Sequence, residues 1–127
     1  LDKGHFITGD KMLKFIEYPK CSTCKKAKKY LDNLNLEHTD RHIVEEKLSK
    51  DELLALYKKS GLPLKRFFNT SGLKYRELNL KDKLSKMSED EQLSLLASDG
   101  MLVKRPIVES SDKVLVGFKP AEYDMLK

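Results

Sequence analysis

The sequence predicts an α/β domain on a mixed four-stranded sheet, with elements in the order β-α-β, a helical insertion over about residues 49–101, then β-β-α. Three observations predict it. The opening third reads strand, helix, strand, with a helix long enough to cross between parallel strands. The middle carries two helix-start signatures, Ser49 with Glu52 and Ser88 with Glu91. The last quarter changes to short β-branched runs separated by turn residues.

Taken in order, residues Leu1 to Lys11 show no periodicity and read as an N-terminal appendage, leaving residues 12–127 as a single domain. The run Leu13 to Tyr18 is strand-like, and Pro19 closes it because proline donates no backbone hydrogen bond. Cys24, Ala27, Leu31 and Leu34 then recur at i, i+3, i+7 and i+10, one face of a helix. Leu36 to Val44 is a second, weaker strand.

Beyond it, Leu53, Leu56, Tyr57 and Ser60 share a helix face that Gly61 stops. Pro63 suits the start of a short helix through Phe67 and Phe68, and Asn69-Thr70-Ser71-Gly72 breaks the chain. Leu80, Leu84 and Met87 recur at helical spacing, and the helix opened by Ser88 carries Leu93, Leu96 and Ala97 up to Asp99-Gly100. Ile107-Val108 and Val114-Leu115-Val116 flank Ser110 to Lys113 as a hairpin, and Pro120 starts a short terminal helix, Ala121 to Leu126.

At 127 residues there is room for one core, and 39% hydrophobic with 35% charged residues excludes a disordered chain. No apolar run approaches the roughly 20 residues that span a bilayer, and the first residues lack the zones of a signal peptide, so a cytoplasmic protein is expected. The charge of +5 is compatible with a nucleic acid, an acidic protein or a small anion, and does not choose among them.

Two cysteines are too few for a disulfide framework, which points to a chemical role. Cys21-Ser22-Thr23-Cys24 falls where a strand ends and a helix begins. Free amide hydrogens and the positive helix end both favour a thiolate at Cys21. Lys20, Lys25, Lys26, Lys28 and Lys29 add a positive field expected to lower its pKa. Cys24 shares the apolar face with Ala27 and Leu31, so it is expected to be shielded yet near enough to resolve a mixed disulfide on Cys21. A C-x-x-C beside a βαβ pattern is a redox signal; the competing reading is that both cysteines are ordinary buried hydrophobes.

Zinc is the sharper rival. Cys21, Cys24, His38 and His42 read as C-x2-C, thirteen residues, then H-x3-H. The two histidines would need a helix to converge, whereas Leu36 to Val44 reads as a strand, in which residues four apart lie roughly 13 Å from one another. No metal is therefore expected.

Lys104-Arg105-Pro106-Ile107 carries the other constellation. A proline opening a hairpin, after a β-α-β start with C-x-x-C at the first helix, is the thioredoxin-like arrangement. That arrangement predicts Pro106 to be cis and to face Cys21.

Four segments together carry a family resemblance: Tyr18 to Ala27, Phe68 to Gly72, Lys104 to Val108, and Val116-Gly117-Phe118-Lys119. Over essentially Met12 to Lys127 the chain resembles the arsenate reductase-like family that includes the Spx and MgsR redox regulators. The resemblance implies a thioredoxin-like fold with a helical insertion, a nucleophilic cysteine at Cys21 and a functional arginine at Arg105. Two further arginines of the family's reductases fall at Lys65, with Arg66 beside it, and at Lys119, so positive charge persists there without the planar two-donor fork. Those reductases commonly carry serine where this chain has Cys24, which draws it towards the regulators or a thiol reductase.

The expectation is a thiol-disulfide redox protein, arsenate reductase-like, in which Cys21 attacks, Cys24 resolves, and Arg105 with the Ser22 and Thr23 region binds an anionic group. No bound cofactor is expected; an external thiol such as glutathione, glutaredoxin or thioredoxin would restore the dithiol. The alternative is a redox-switched regulator that binds the C-terminal domain of the RNA polymerase α subunit. Direct binding to DNA or membranes is not expected, and the chain is expected to be a monomer.

Overall fold

A computed structural model of the chain describes residues 12–127, so the appendage expected at residues 1–11 lies outside the described residues. The elements are β1 (Leu13–Glu17), α1 (Ser22–Asn33), β2 (His38–His42), α2 (Lys50–Ser60), α3 (Leu73–Glu77), α4 (Leu80–Lys83), α5 (Glu89–Ser98), β3 (Ile107–Glu109), β4 (Val114–Val116) and α6 (Pro120–Asp124), with 3-10 turns at Leu64–Phe67, Leu84–Lys86 and Gly100–Leu102.

The sheet order is β2-β1-β3-β4. β1 and β2 are parallel, with Leu13 opposite His38 and Glu17 opposite His42. β3 runs antiparallel to both β1 and β4. Because successive strand residues point to opposite faces, the sheet feeds two cores. Leu13, Phe15 and Val108 meet Ala27 and Leu31 of α1 and Tyr123 of α6 on one face. Ile16, Ile107, Val114 and Val116 meet the insertion on the other, through residues such as Leu53, Leu56, Leu93 and Leu96. The result is the thioredoxin-like arrangement of a mixed sheet between helical layers.

Both predicted capping boxes form. Ser49 and Glu52 exchange side-chain and backbone hydrogen bonds at the start of α2, as Ser88 and Glu91 do at α5. Gly61 ends α2 in the left-handed region, at φ 69°. Gly100 serves close approach instead: a Cβ there would sit 2.1 Å from the Ile43 carbonyl oxygen, so only glycine lets the end of the insertion lie against the chain leaving β2.

Between those boxes the structure departs from the sequence reading. Leu80, Leu84 and Met87 do not share one continuous helix: Asn79 enters α4 at φ 53°, and a 3-10 turn over Leu84–Lys86 replaces the next α-helical turn. Leu73–Glu77, adjoining the expected break, is a short helix with Gly72 as its N-cap.

The insertion also holds the segment before β3. The Asn69 amide donates to the Leu102 carbonyl and the Lys104 amide to the Phe67 carbonyl, each at 2.8 Å, around a bridge between Phe68 and Val103. These bonds fix the approach to Arg105 and Pro106 from the insertion side. The Gly117 amide, donating to the Pro106 carbonyl at 2.8 Å, fixes it from β4.

Candidate active site

The first element of the site is the junction between β1 and α1. Cys21 is the N-cap of α1, in extended conformation, and its amide donates to the Tyr18 carbonyl at 2.9 Å. Its sulfur accepts the Cys24 amide at 3.4 Å. A thiol at this position does what a serine or aspartate cap does, satisfying one of the amides that a helix start leaves without a carbonyl partner. Ser22 and Thr23 occupy the first turn and are both exposed.

One turn inside, Cys24 is fully buried, whereas Cys21 is half-exposed; both are free thiols. Their environments drive them apart. Burial tends to raise the Cys21 thiol, but the Cys24 amide and the Arg105 guanidinium outweigh it and hold that thiol below its ordinary value. Burial pushes the Cys24 thiol up to about 12, and the neighbouring Cys21 adds to the rise. One thiol is thus accessible and inclined to ionise, and the other is sealed and protonated.

Arg105 approaches from across the sheet, in the segment before β3. The Arg105–Pro106 peptide bond is cis. The guanidinium carbon lies 5.0 Å from the centre of the Tyr18 ring. One guanidinium nitrogen, Nη1, is buried with no hydrogen-bond partner among the described residues. Such a donor is costly to leave unpaired and is ready for an anion or a polar substrate group. Arg105 also lines a cavity of about 280 Å³ with Asn69, Leu73, Glu77, Asp99 and Met101.

The Cys21 thiol is lowered by a helix-start amide, as the sequence predicts, and by Arg105, with no lysine among the main causes. Of the five lysines, Lys28 turns away, to Asp40 at 2.8 Å and Glu17 at 3.8 Å, while Lys20, Lys25, Lys26 and Lys29 are exposed, where solvent screens their charge. Of the other cationic candidates, Lys65 lines a cleft with Tyr57 and Glu89, and Lys65, Arg66 and Lys119 are all exposed. Among the described residues no hydrogen bond or ion pair joins Lys65, Arg66 or Lys119 to either cysteine.

His38 and His42 stand at opposite ends of β2. The His38 ring nitrogens face Asp32 at 2.9 Å and Asp40 at 2.5 Å. His42 Nδ1 accepts the amides of Val44 and Glu45. Among the described residues, no three His, Cys, Asp or Glu side chains are grouped to hold a metal ion. A second recess, about 320 Å³, is lined by Lys14, Arg41, Glu52 and Glu109 and by neither cysteine. Three of those charges are already paired, Arg41 with Glu52 and Glu109 with Lys59.

Sequence reasoning missed Tyr18, which touches the site through both its carbonyl and its ring. Its place directly before Pro19 and three residues ahead of Cys21 was the available signal.

Comparison with known proteins bears on this geometry. The model of the ArsC family matches residues 16–126. The uncharacterised protein YusI of Bacillus subtilis (strain 168) is 62% identical over 112 residues, covering 88% of this chain and 95% of that protein. The regulatory protein MgsR of the same strain is 28% identical over 113 residues, covering 89% and 88%. A crystal structure described as an ArsC-family-related protein from Bacteroides fragilis superposes with a TM-score of 0.89 at 54% identity, covering 91% of this chain and 97% of that one.

Proposed function

Since the chain belongs to the ArsC family, we propose that it is a thiol-disulfide redox protein whose working groups are Cys21, Cys24 and Arg105. The observation that carries this reading is the division between the cysteines: Cys21 half-exposed and lowered at the start of α1, Cys24 buried and pushed up to about 12 one turn inside.

The steps follow from that division. The Cys21 thiolate attacks one sulfur of an oxidised substrate disulfide. A bond forms between Cys21 and that sulfur, the substrate S–S bond breaks, and the second sulfur leaves as a thiolate that takes a proton from solvent. Arg105, with its unpartnered Nη1, and the first-turn amides at Ser22 and Thr23 steady the negative charge as it passes between sulfurs. Capture of Cys21 also removes the charge that helps keep Cys24 protonated. Cys24 then loses its proton and attacks the Cys21 sulfur, releasing the first substrate sulfur and closing a Cys21–Cys24 disulfide. Two electrons have moved from the dithiol to the substrate. An external thiol, glutathione, glutaredoxin or thioredoxin, returns them, and no bound cofactor enters the cycle.

Arsenate is less well supported as the substrate than a disulfide, because at Lys65 and Lys119 the chain keeps positive charge without the planar two-donor fork of the family reductases' arginines. The similarity to MgsR supports a second reading, in which the same disulfide switches binding to the RNA polymerase α subunit.

One paired assay separates the readings. Turnover of a small disulfide with glutathione or thioredoxin as reductant, Cys21-dependent and without retention of the α subunit, is the result expected. Capture of the α subunit by the reduced but not the oxidised protein, without turnover, would replace the enzyme with the regulator. Neither activity would overturn both.

A further inference from the structure

Arg105 is held in an unusual way for a half-buried cation. Among the described residues it has no ion pair, and its Nη1 has no hydrogen-bond partner. Lys74, Glu77 and Asp99 line the same cavity, yet Asp99 is turned to the Met101 amide at 2.9 Å and neither carboxylate pairs with Arg105. The guanidinium lies over the ring of Tyr18, with the guanidinium carbon 5.0 Å from its centre.

Tyr18 is itself fixed from other sides. Its carbonyl accepts the Cys21 amide at 2.9 Å, and its ring meets that of His42 at 5.8 Å and nearly at right angles. It also packs against the insertion-side core. Its hydroxyl makes no hydrogen bond among the described residues, so the ring is the part in use. The choice of ring over carboxylate has a physical consequence. A carboxylate would hold the guanidinium and cancel its charge, whereas an aromatic face attracts the cation through its quadrupole and leaves the positive field available to a nearby anion.

We propose that Tyr18 is a positioning residue for Arg105: its ring face holds the guanidinium beside the start of α1 with its charge uncancelled, and so sets where Arg105 meets the thiolate or a bound anion at Cys21. This rests on the reading of Cys21 as the nucleophile. The charged and titratable groups around it are Cys24 on α1, Arg105, and, around Arg105, Lys74, Glu77 and Asp99, with Lys20 beside Cys21 in the chain and His42 behind Tyr18.

The test is the pH profile of Cys21 alkylation by iodoacetamide, read on the Cys21 peptide by mass spectrometry, in Tyr18→Phe, Tyr18→Leu, Arg105→Ala and the Tyr18→Leu/Arg105→Ala double variant. Tyr18→Phe should match the parent. Tyr18→Leu should move the profile to higher pH and slow alkylation near neutrality by roughly threefold to tenfold, as loss of a partly desolvated cation–π contact predicts. It should add nothing once Arg105 is gone. If Arg105→Ala shifts the profile and Tyr18→Leu does not, this inference is overturned and the proposed function stands. If Arg105→Ala shifts nothing, the proposed role of Arg105 fails and takes this inference with it. Should Tyr18→Leu not fold, phenylalanines of increasing fluorination at position 18 keep the shape while weakening the ring face; alkylation should slow progressively along the series, and a flat series overturns the inference.

Discussion

The Cys21 sulfur accepts the Cys24 backbone amide at 3.4 Å, so the cysteine that caps α1 is held by the residue whose own thiol the helix buries. Accessibility and ionisation therefore fall on the same sulfur. We predict that limited alkylation at neutral pH labels Cys21 well before Cys24, by about an order of magnitude or more, since only the thiolate reacts and only Cys21 is reachable. Peptide mass spectrometry decides it, and preferential labelling of Cys24 would reverse the assignment.

Arg105 gives a second prediction, for stability. An ordinary surface arginine contributes little to folding, but Arg105 carries a buried Nη1 without a partner. Its removal relieves that cost while losing the Tyr18 contact. Arg105→Ala should therefore change unfolding free energy by less than about 1 kcal/mol in urea while slowing the chemistry at Cys21. A loss of several kcal/mol would make Arg105 a structural residue first.

The pair between Arg41 and Glu52 predicts acid behaviour. The Arg41 guanidinium, helped by the Ser49 amide, holds the Glu52 carboxyl down at about 2. A depressed carboxyl contributes stability above its unfolded value, near 4.3, and loses it as pH falls through the folded value. Glu52 is partly exposed, so screening limits the effect. Glu52→Gln should cost about 1 kcal/mol at neutral pH, capping included, and this difference should vanish between about pH 4.5 and pH 2. An undiminished difference at the acid end would contradict the pairing.

His38 runs the other way. Burial tends to lower it, but Asp32 and Asp40 outweigh burial and its pKa is raised. The stability it contributes is fully present below the unfolded value, about 6.5, and is lost as pH rises through the folded one. His38→Gln should be less stable than the parent near pH 6 by about 1 kcal/mol and approach it as the solution is made alkaline. The same melts with a chelator should superpose on those without it. Stoichiometric zinc with unfolding on chelation would instead restore the C-x2-C, H-x3-H reading.

Some of these features were legible in the sequence because they are local. The Ser49–Glu52 and Ser88–Glu91 boxes need only three-residue spacing, and the strand opened at Leu13 needs only a short run closed by Pro19. The stretch from Leu73 to Met87 was not legible in the same way. Its apolar spacing fits one helix as well as two short helices and a 3-10 turn, and Asn79 in the left-handed region decides between them. At the site, the C-x-x-C and its helix start were readable. The helix-start amide that acts on Cys21 was readable too, whereas the weight given to the lysines was not met, because neighbours in sequence are not neighbours in charge: Lys28 faces Asp40, while Arg105 arrives from more than eighty residues away. Tyr18 could be noticed beside Pro19 and Cys21, but its use depends on the residue that comes to lie against it.

The division of labour between Cys21 and Cys24 is tested by a trapping experiment on the cysteine pair. Reduced protein is treated with one equivalent of oxidised glutathione and its intact mass and disulfide-linked peptides are followed. The parent is expected to pass through a glutathione adduct on Cys21 and end two hydrogens lighter, with Cys21 joined to Cys24, whereas Cys24→Ser stops at the stable Cys21 adduct. An adduct that persists on the parent, or one that forms on Cys24, would contradict that division.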